Sequence, residues 1–387
     1  MKNSQIVGLI IALAVIIGAI AYLENGKVAP SSYSGAAPDV ALPETVATST
    51  APSALPASST AERIAEKSAR YERAKEIVDP TGFVNTGGQP ITLSQYIGKK
   101  VILLDIMTYS CINCIRTFPY LVSWYKKYED KGLVIIGIHT PEFDFEKNID
   151  NVKAAMEKYG ITFPVVLDNN YGTWTAYHNL YWPRKYLIDI DGFIRYDHIG
   201  EGGYDETESM IQSLLAERAQ VLGLGTSTLA AIDMPTTAGA TEQNVSGMSQ
   251  ETYFGSARNE FFGNPTATVP AGQNGQDAFA VPNQSSQLAS GEFYLGGTWS
   301  IQSDHAENVS LPAQIVYPFT ATHVYLVASA DAPVPVQVTI DGVETKTVTV
   351  QEPRLYDIYD GASYGSHILE LSPQAAGLKA FTLTFGS

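Results

Sequence analysis

Two hydrophobic periodicities divide the chain. Between residues 82 and 219 continuous apolar runs alternate with segments of helical spacing, whereas beyond residue 250 apolar residues recur at every second position. Residues 101–106, 133–139 and 163–167 have the length and composition of buried strands, the first suited to a central parallel position. Between them the spacing predicts one helix from near Cys111 through Leu121, Val122 and Tyr125 to a stop at Gly132, and another over 148–159 ended by Gly160. Pro119 lies inside the first and predicts a kink. Residues 186–190 and 193–196 flank Asp191-Gly192, a hairpin signal, and Met210, Ile211, Leu214 and Leu215 mark an amphipathic helix over 207–219. Residues 82–97 read as a hairpin around Gly87-Gly88 followed by a helical turn. Upstream, Ser59-Thr60-Ala61-Glu62 has capping-box spacing, and Ile64, Ala65, Ala69, Ala74 and Ile77 predict a solvated lead-in helix ending before Pro80. Strand, helix, strand, helix, strand, hairpin and helix make an α/β fold with a mixed sheet over 59–221.

The downstream pattern has period two. Phe293, Leu295, Trp299 and Ile301 alternate, as do Val336, Val338 and Ile340 before Asp341-Gly342, and Phe381, Leu383 and Phe385. Turn residues separate these runs, so 251–387 is expected to be an antiparallel β-sandwich. Two stretches rich in Ala, Ser, Thr, Gly or Pro, 28–58 and 222–250, read as linkers, the first a disordered tether. Residues 6–23 are an uncharged apolar run of 18 residues. At ~1.5 Å per residue the run reaches roughly 27 Å, enough to cross a hydrocarbon core of about 30 Å. Residues 1–27 therefore read as a signal anchor, a single transmembrane helix with Lys2 on the cytoplasmic side. A cleavable secretory signal with Ala19-Ile20-Ala21 as its cleavage pattern is the competing reading. Either way the remainder is exported, and no lipobox cysteine is present.

Composition narrows the chemistry. A net charge of −16 lacks the clustered Lys and Arg of a nucleic-acid surface. The chain holds two cysteines, Cys111 and Cys114, too few for a disulfide-stapled scaffold. They lie two residues apart at a strand-to-helix junction, the arrangement of a dithiol/disulfide redox centre that needs no other cofactor. Cys111 falls at the helix N-terminus, where unpaired N–H groups and the positive dipole end stabilise a thiolate, making it the attacking sulfur. Cys114, one turn inside, is the resolving thiol. Arg116 follows and reads as solvated. Asp105, six residues before Cys111 among Leu103, Leu104 and Ile106, reads as a buried acid able to carry the resolving thiol's proton. Trp182-Pro183 precedes a strand, and with a cis bond it would set a backbone edge beside the sulfurs; Trp182, Ile112 and Asn113 are the substrate-docking candidates. No His follows Cys114, so the haem-attachment pattern is absent, and the six His show no paired zinc spacing. Copper delivery by Cys111, Cys114 and one His is a rival reading. In the second domain Trp299 reads as core, while Tyr356, Tyr359 and Tyr364 are candidates to stack on a sugar ring.

Residues 103–119 resemble the active-site segment of extracytoplasmic thioredoxin-like proteins. Ile136-Gly137-Ile138-His139-Thr140-Pro141-Glu142-Phe143, Asp168-Asn169-Asn170-Tyr171 and Tyr181-Trp182-Pro183 narrow the likeness to the C-terminal soluble part of DipZ-type proteins, within the TlpA/ResA-like group. It covers roughly residues 82–218, and a weaker likeness runs from Glu251-Thr252-Tyr253 to Thr384-Phe385-Gly386, where DipZ-type proteins carry a carbohydrate-binding-module-like sandwich. The resemblance implies a thioredoxin-like fold with Cys111 as nucleophile, Cys114 resolving, Asp105 as the buried acid and Pro183 as the cis-proline. It also implies electrons from a membrane thiol transporter of the CcdA/DsbD kind, and exported disulfide proteins or apocytochromes as substrates. A cell-envelope glycan is the further partner that the second domain suggests. Two departures matter. One apolar run stands where DipZ-type proteins carry a multi-helix electron-transporting domain, so a separate membrane partner must supply electrons. Met107 stands where the thioredoxin pattern often has Trp, so ring packing beside the sulfurs is lost.

Overall fold

The structure, a computed structural model, describes residues 60–224, 247–283 and 287–387. The expected anchor over 1–27, the tether over 28–58 and most of the second linker lie outside the described residues. Among those residues no helix is long and apolar enough to cross a membrane.

The first domain orders α1 (Thr60–Ser68), β1 (Gly82–Val84), β2 (Val101–Met107), α2 (Ile112–Tyr128), β3 (Leu133–His139), a 3-10 turn (Asp144–Lys147), α3 (Ile149–Lys158), β4 (Val165–Leu167), α4 (Gly172–Ala176), β5 (Arg184–Ile188), β6 (Ile194–Ile199) and α5 (Tyr204–Val221). Its six strands lie in the order β1-β4-β3-β2-β5-β6. β2 runs parallel to β3 and antiparallel to β5, which pairs antiparallel with β6. All seven residues of β2 and all seven of β3 are buried, which is why both read as continuous apolar runs. One face packs on Phe118, Leu121, Trp124, Ile211 and Leu214; the other packs on Ile91, Leu93, Tyr177 and Tyr186. Helices α2, α3 and α5 thus cover one face of a mixed sheet, and α4 with the segment around Ile91 and Leu93 covers the other.

Three expectations need correction. The stretch around Gly87-Gly88 makes a turn but no hairpin: β1 pairs with β4, far along the chain. The lead-in helix stops at Ser68, because residues past it run extended and bridge the sheet edge through Arg73 and Phe193. Nor is that helix merely solvated. Lys67 is buried, with Nζ 2.7 Å from Asp189, 2.7 Å from Asp191 and in contact with Glu217. Arg63 pairs with Asp191, and Arg195 with Asp189 and Glu217, so three carboxylates close enough to hold a cation are held by side-chain cations instead.

The second domain consists of β7 (Thr252–Tyr253), β8 (Gly275–Phe279), β9 (Tyr294–Ile301), β10 (Ala306–Ser329), β11 (Val334–Ile340), β12 (Val343–Val350), β13 (Arg354–Pro373) and β14 (Lys379–Gly386), all antiparallel. The strands form one hydrogen-bonded network rather than two sheets, because β10 is long enough to pair with β9, β13 and β14 in turn. Phe293, Leu295, Trp299 and Ile301 share its core with Val336, Val338, Leu383 and Phe385, as the alternation predicts.

Lys67→Met leaves Asp189 and Asp191 short of a cation in a buried setting, a loss expected to cost about 3 kcal/mol. A lowered urea midpoint measures it; an unchanged midpoint would mean that Arg63 and Arg195 suffice.

Candidate redox site

The dithiol sits where buried β2 gives way to α2. Cys111 caps the helix with an extended backbone, and its carbonyl accepts from the Ile115 N–H at 3.0 Å. Its side chain is half-buried and borders the core that encloses Cys114, which is fully buried. Burial therefore separates the two sulfurs into one that a substrate can reach and one that only Cys111 can. Burial pushes the Cys114 thiol well up, and the adjoining Cys111 and Asp105 push the same way. A thiol so disfavoured as a thiolate needs a base beside it.

Asp105 is that neighbour. It is fully buried in β2 and neither carboxyl oxygen has a hydrogen-bond partner, so burial pushes it up to about 7 against the opposing pull of Lys185. Lys185 of β5 stands directly across from Asp105 in the strand register and is itself fully buried, with Nζ donating to the Gly200 carbonyl at 2.9 Å. Burial pulls the Lys185 ammonium down, and Asp105, Cys114 and Glu201 raise it in return. This lysine was missed at the level of sequence, although a charge inside the strand two residues past Pro183 was a signal, because nothing local names its partner.

The same register positions the Trp182-Pro183 edge. Ile106 faces Arg184, so continuing the pairing by one residue places Pro183 opposite Met107, four residues before Cys111. The Trp182-Pro183 bond is cis, and the Pro183 carbonyl accepts from Gly200 N–H at 2.8 Å. Trp182 is half-buried, packs on Trp174 with ring centroids 4.2 Å apart, and donates to the Thr140 carbonyl at 3.1 Å. A cleft of about 280 Å³ opens beside it, walled by Glu142 and Tyr171 of the first domain and by Tyr253, Arg258 and Asp304 of the second. Of the other docking candidates, Asn113 is half-buried with its side-chain oxygen unpartnered. Ile112 is a correction: with 7% of its surface exposed it offers a substrate almost nothing.

Arg116 is a second correction. It is 5% exposed rather than solvated, with Nη1 3.3 Å from Glu201 Oε1 and Nη2 donating to Tyr325 Oη of β10 at 3.4 Å. Sequence also gave no sign of the polar cluster ahead of Cys111. Buried Glu146 accepts from Thr108 Oγ1 at 2.5 Å, Ser110 Oγ at 2.6 Å, and the N–H groups of Ser110, Glu142 and Phe143. Burial pushes its carboxyl up while these donors pull it down. His139 is pushed down to about 3 by burial, hence neutral, and stacks on Tyr109 at 5.5 Å. His139 Nε2 lies 3.5 Å from Thr108 Oγ1, which links the ring to the Glu146 cluster.

Of the three candidates to stack on a sugar ring, the structure corrects Tyr356 and Tyr359. Tyr356 is buried, its hydroxyl donating to the Glu352 carbonyl at 2.7 Å and accepting from Gln351 N–H at 3.0 Å. Tyr359 packs on the core beside Phe319 and His367, which leaves Tyr364, at 37%, as the exposed ring of the three.

Comparison with known proteins agrees with this geometry. Residues 72–197 match the model of the AhpC/TSA family, and residues 249–386 that of a thioredoxin like C-terminal domain. The thiol-disulfide oxidoreductase ResA of Bacillus thuringiensis is 32% identical over 127 residues, which are 33% of this chain and 70% of ResA. The chain belongs to the thioredoxin-like thiol:disulfide oxidoreductases. Protein DipZ of Mycobacterium tuberculosis is 34% identical over 317 residues, 81% of this chain and 43% of DipZ. This member of the family thus spans less than half the length of that relative. Among solved structures, the thioredoxin domain of a thiol-disulfide oxidoreductase from Bacteroides vulgatus aligns at 24% identity over 36% of this chain and 96% of its own, with a TM-score of 0.31.

A carboxyl held above its unfolded value of about 4 makes folding take up a proton, so stability falls as pH rises from about 4 to 7. Asp105→Asn removes that loss, up to ~4 kcal/mol at pH 8 from three pH units at ~1.4 kcal/mol each. Urea unfolding at pH 5 and pH 8 measures it; equal pH dependence in variant and wild type would discard the assignment.

Proposed function

We propose that this chain is an exported, membrane-tethered thiol:disulfide oxidoreductase that works chiefly as a reductase. The pairing of a reachable Cys111 with a fully buried Cys114, next to an unpartnered Asp105 carboxyl, carries the reading. The apolar run over 6–23 supports export and anchoring.

The Cys111 thiolate attacks one sulfur of a substrate disulfide. The substrate S–S bond breaks, a mixed disulfide forms, and the departing substrate thiolate takes a proton. Cys114 then passes its proton to the Asp105 carboxylate and attacks Cys111 Sγ. The mixed disulfide breaks, the second substrate thiol leaves, and Cys111 and Cys114 are joined. Two electrons have moved from the dithiol to the substrate, and a membrane thiol donor of the CcdA/DsbD kind returns them. Lys185 faces the charge that Asp105 gives up and regains. Substrates are exported disulfide proteins, apocytochromes among them, whose chain lies along the Trp182-Pro183 edge and enters the cleft between the domains. The couple itself is the redox group, so the chemistry asks for no metal or organic cofactor.

Cys114→Ser is expected to accumulate mixed disulfides with exported proteins, visible on non-reducing gels and lost when Cys111 is also replaced by Ser. Their absence would reject the mechanism. Equilibration with glutathione fixes direction: a potential well below the glutathione range fits a reductase, and one near about −120 mV an oxidase.

A further inference from the structure

We propose that the β domain is part of the redox site, acting through Tyr325, which holds Arg116 against Glu201 and so fixes the charges that face Asp105 and Cys114. The path is continuous. Arg116 lies two residues past Cys114 on α2, and its guanidinium carbon stands 5.5 Å from the centroid of the Tyr325 ring. That ring and its hydroxyl come from β10, 209 residues away in sequence. Glu201, paired with Arg116, follows Gly200, whose carbonyl accepts from Lys185 Nζ and whose N–H binds the Pro183 carbonyl. Lys185 in turn stands across the register from Asp105 and acts on both Asp105 and Cys114. Every member from Arg116 inward is buried or nearly so, where a displaced charge is felt at full strength.

On α2, Thr117 and Phe118 are buried by first-domain partners, Tyr204 and Tyr159, whereas Arg116 beside them meets the β domain through Tyr325. A second contact anchors the domain nearby: Phe143 and Phe145 pack on Phe381 at 5.1 and 4.8 Å, and Glu142 pairs with Arg258 at 2.8 Å. Tyr325 touches neither sulfur nor substrate in this scheme and is a positioning residue.

The proposal deepens the oxidoreductase reading and rests on it. The test uses the full chain carrying Tyr325→Phe, Tyr325→Ala, Arg116→Gln, or Tyr325→Ala with Arg116→Gln, each equilibrated with glutathione while the oxidised fraction of the dithiol is quantified. Tyr325→Ala is expected to change the equilibrium constant by roughly fivefold, the weight of one partly buried cation–π contact. Tyr325→Phe, which keeps the ring, should shift it less. In the Arg116→Gln background the Tyr325→Ala effect should vanish. Tyr325→Ala within twofold of wild type, or effects of Tyr325→Ala and Arg116→Gln that simply add in the double variant, would overturn the role of Tyr325. A wild-type dithiol that never exchanges with glutathione would instead overturn the oxidoreductase reading itself.

Discussion

A carboxyl with no access to water dominates this structure. β2 is hydrogen-bonded on both edges and covered on both faces, so Asp105 can neither reach solvent nor find a local donor. Leaving that charge uncompensated is expensive, and the strand register answers it with Lys185 directly opposite. One geometric fact then fixes several others. Lys185 faces Asp105 only in a register that also brings Pro183 level with Met107, and hence the docking edge beside the cysteines. The buried carboxyl and the cis-proline edge are positioned by the same pairing of two strands.

Burial also sets the two sulfurs apart. Sequence spacing already separates the two thiols, with Cys111 at the N-cap of the helix and Cys114 one turn inside. Burial sharpens the distinction: Cys111 borders the core while Cys114 lies inside it. The inner thiol is protected from every disulfide except the one that Cys111 has made, and it cannot ionise without a base within the same dry volume.

The parts legible in sequence were those encoded by neighbours. The fully buried β2 and β3 showed as unbroken apolar runs, and Asp105 stood out because its flanks left it nowhere to point. The core of the β domain followed from alternation, Trp299 included. The misreadings share a cause, which is a partner far away in sequence. Arg116 looked solvated because Glu201 and Tyr325 lie 85 and 209 residues off. Lys67 looked solvated because its carboxylates sit on a hairpin and a helix more than 120 residues later. Tyr356 and Tyr359 failed differently: Asp360-Gly361 reads as a turn but lies inside the continuous strand β13, whose pairing with β10 shifts register between Ala321 and His323 and between Val324 and Tyr325.

The domain junction gains its meaning from these long-range pairings. The loop from Glu142 to Glu146 faces two ways: Phe143 and Phe145 pack on Phe381, while the Glu146 carboxylate collects Thr108 and Ser110, the residues that lead into Cys111. On the other flank Tyr325 meets Arg116 beyond Cys114. A module that only tethered or targeted the protein would need neither contact, since a linker suffices for proximity. Burying ionised side chains between domains is costly unless their geometry is maintained, and contacts of that kind on both sides of a dithiol constrain its chemistry as well as its location. The β domain is therefore better understood as one wall of the redox site than as a passenger.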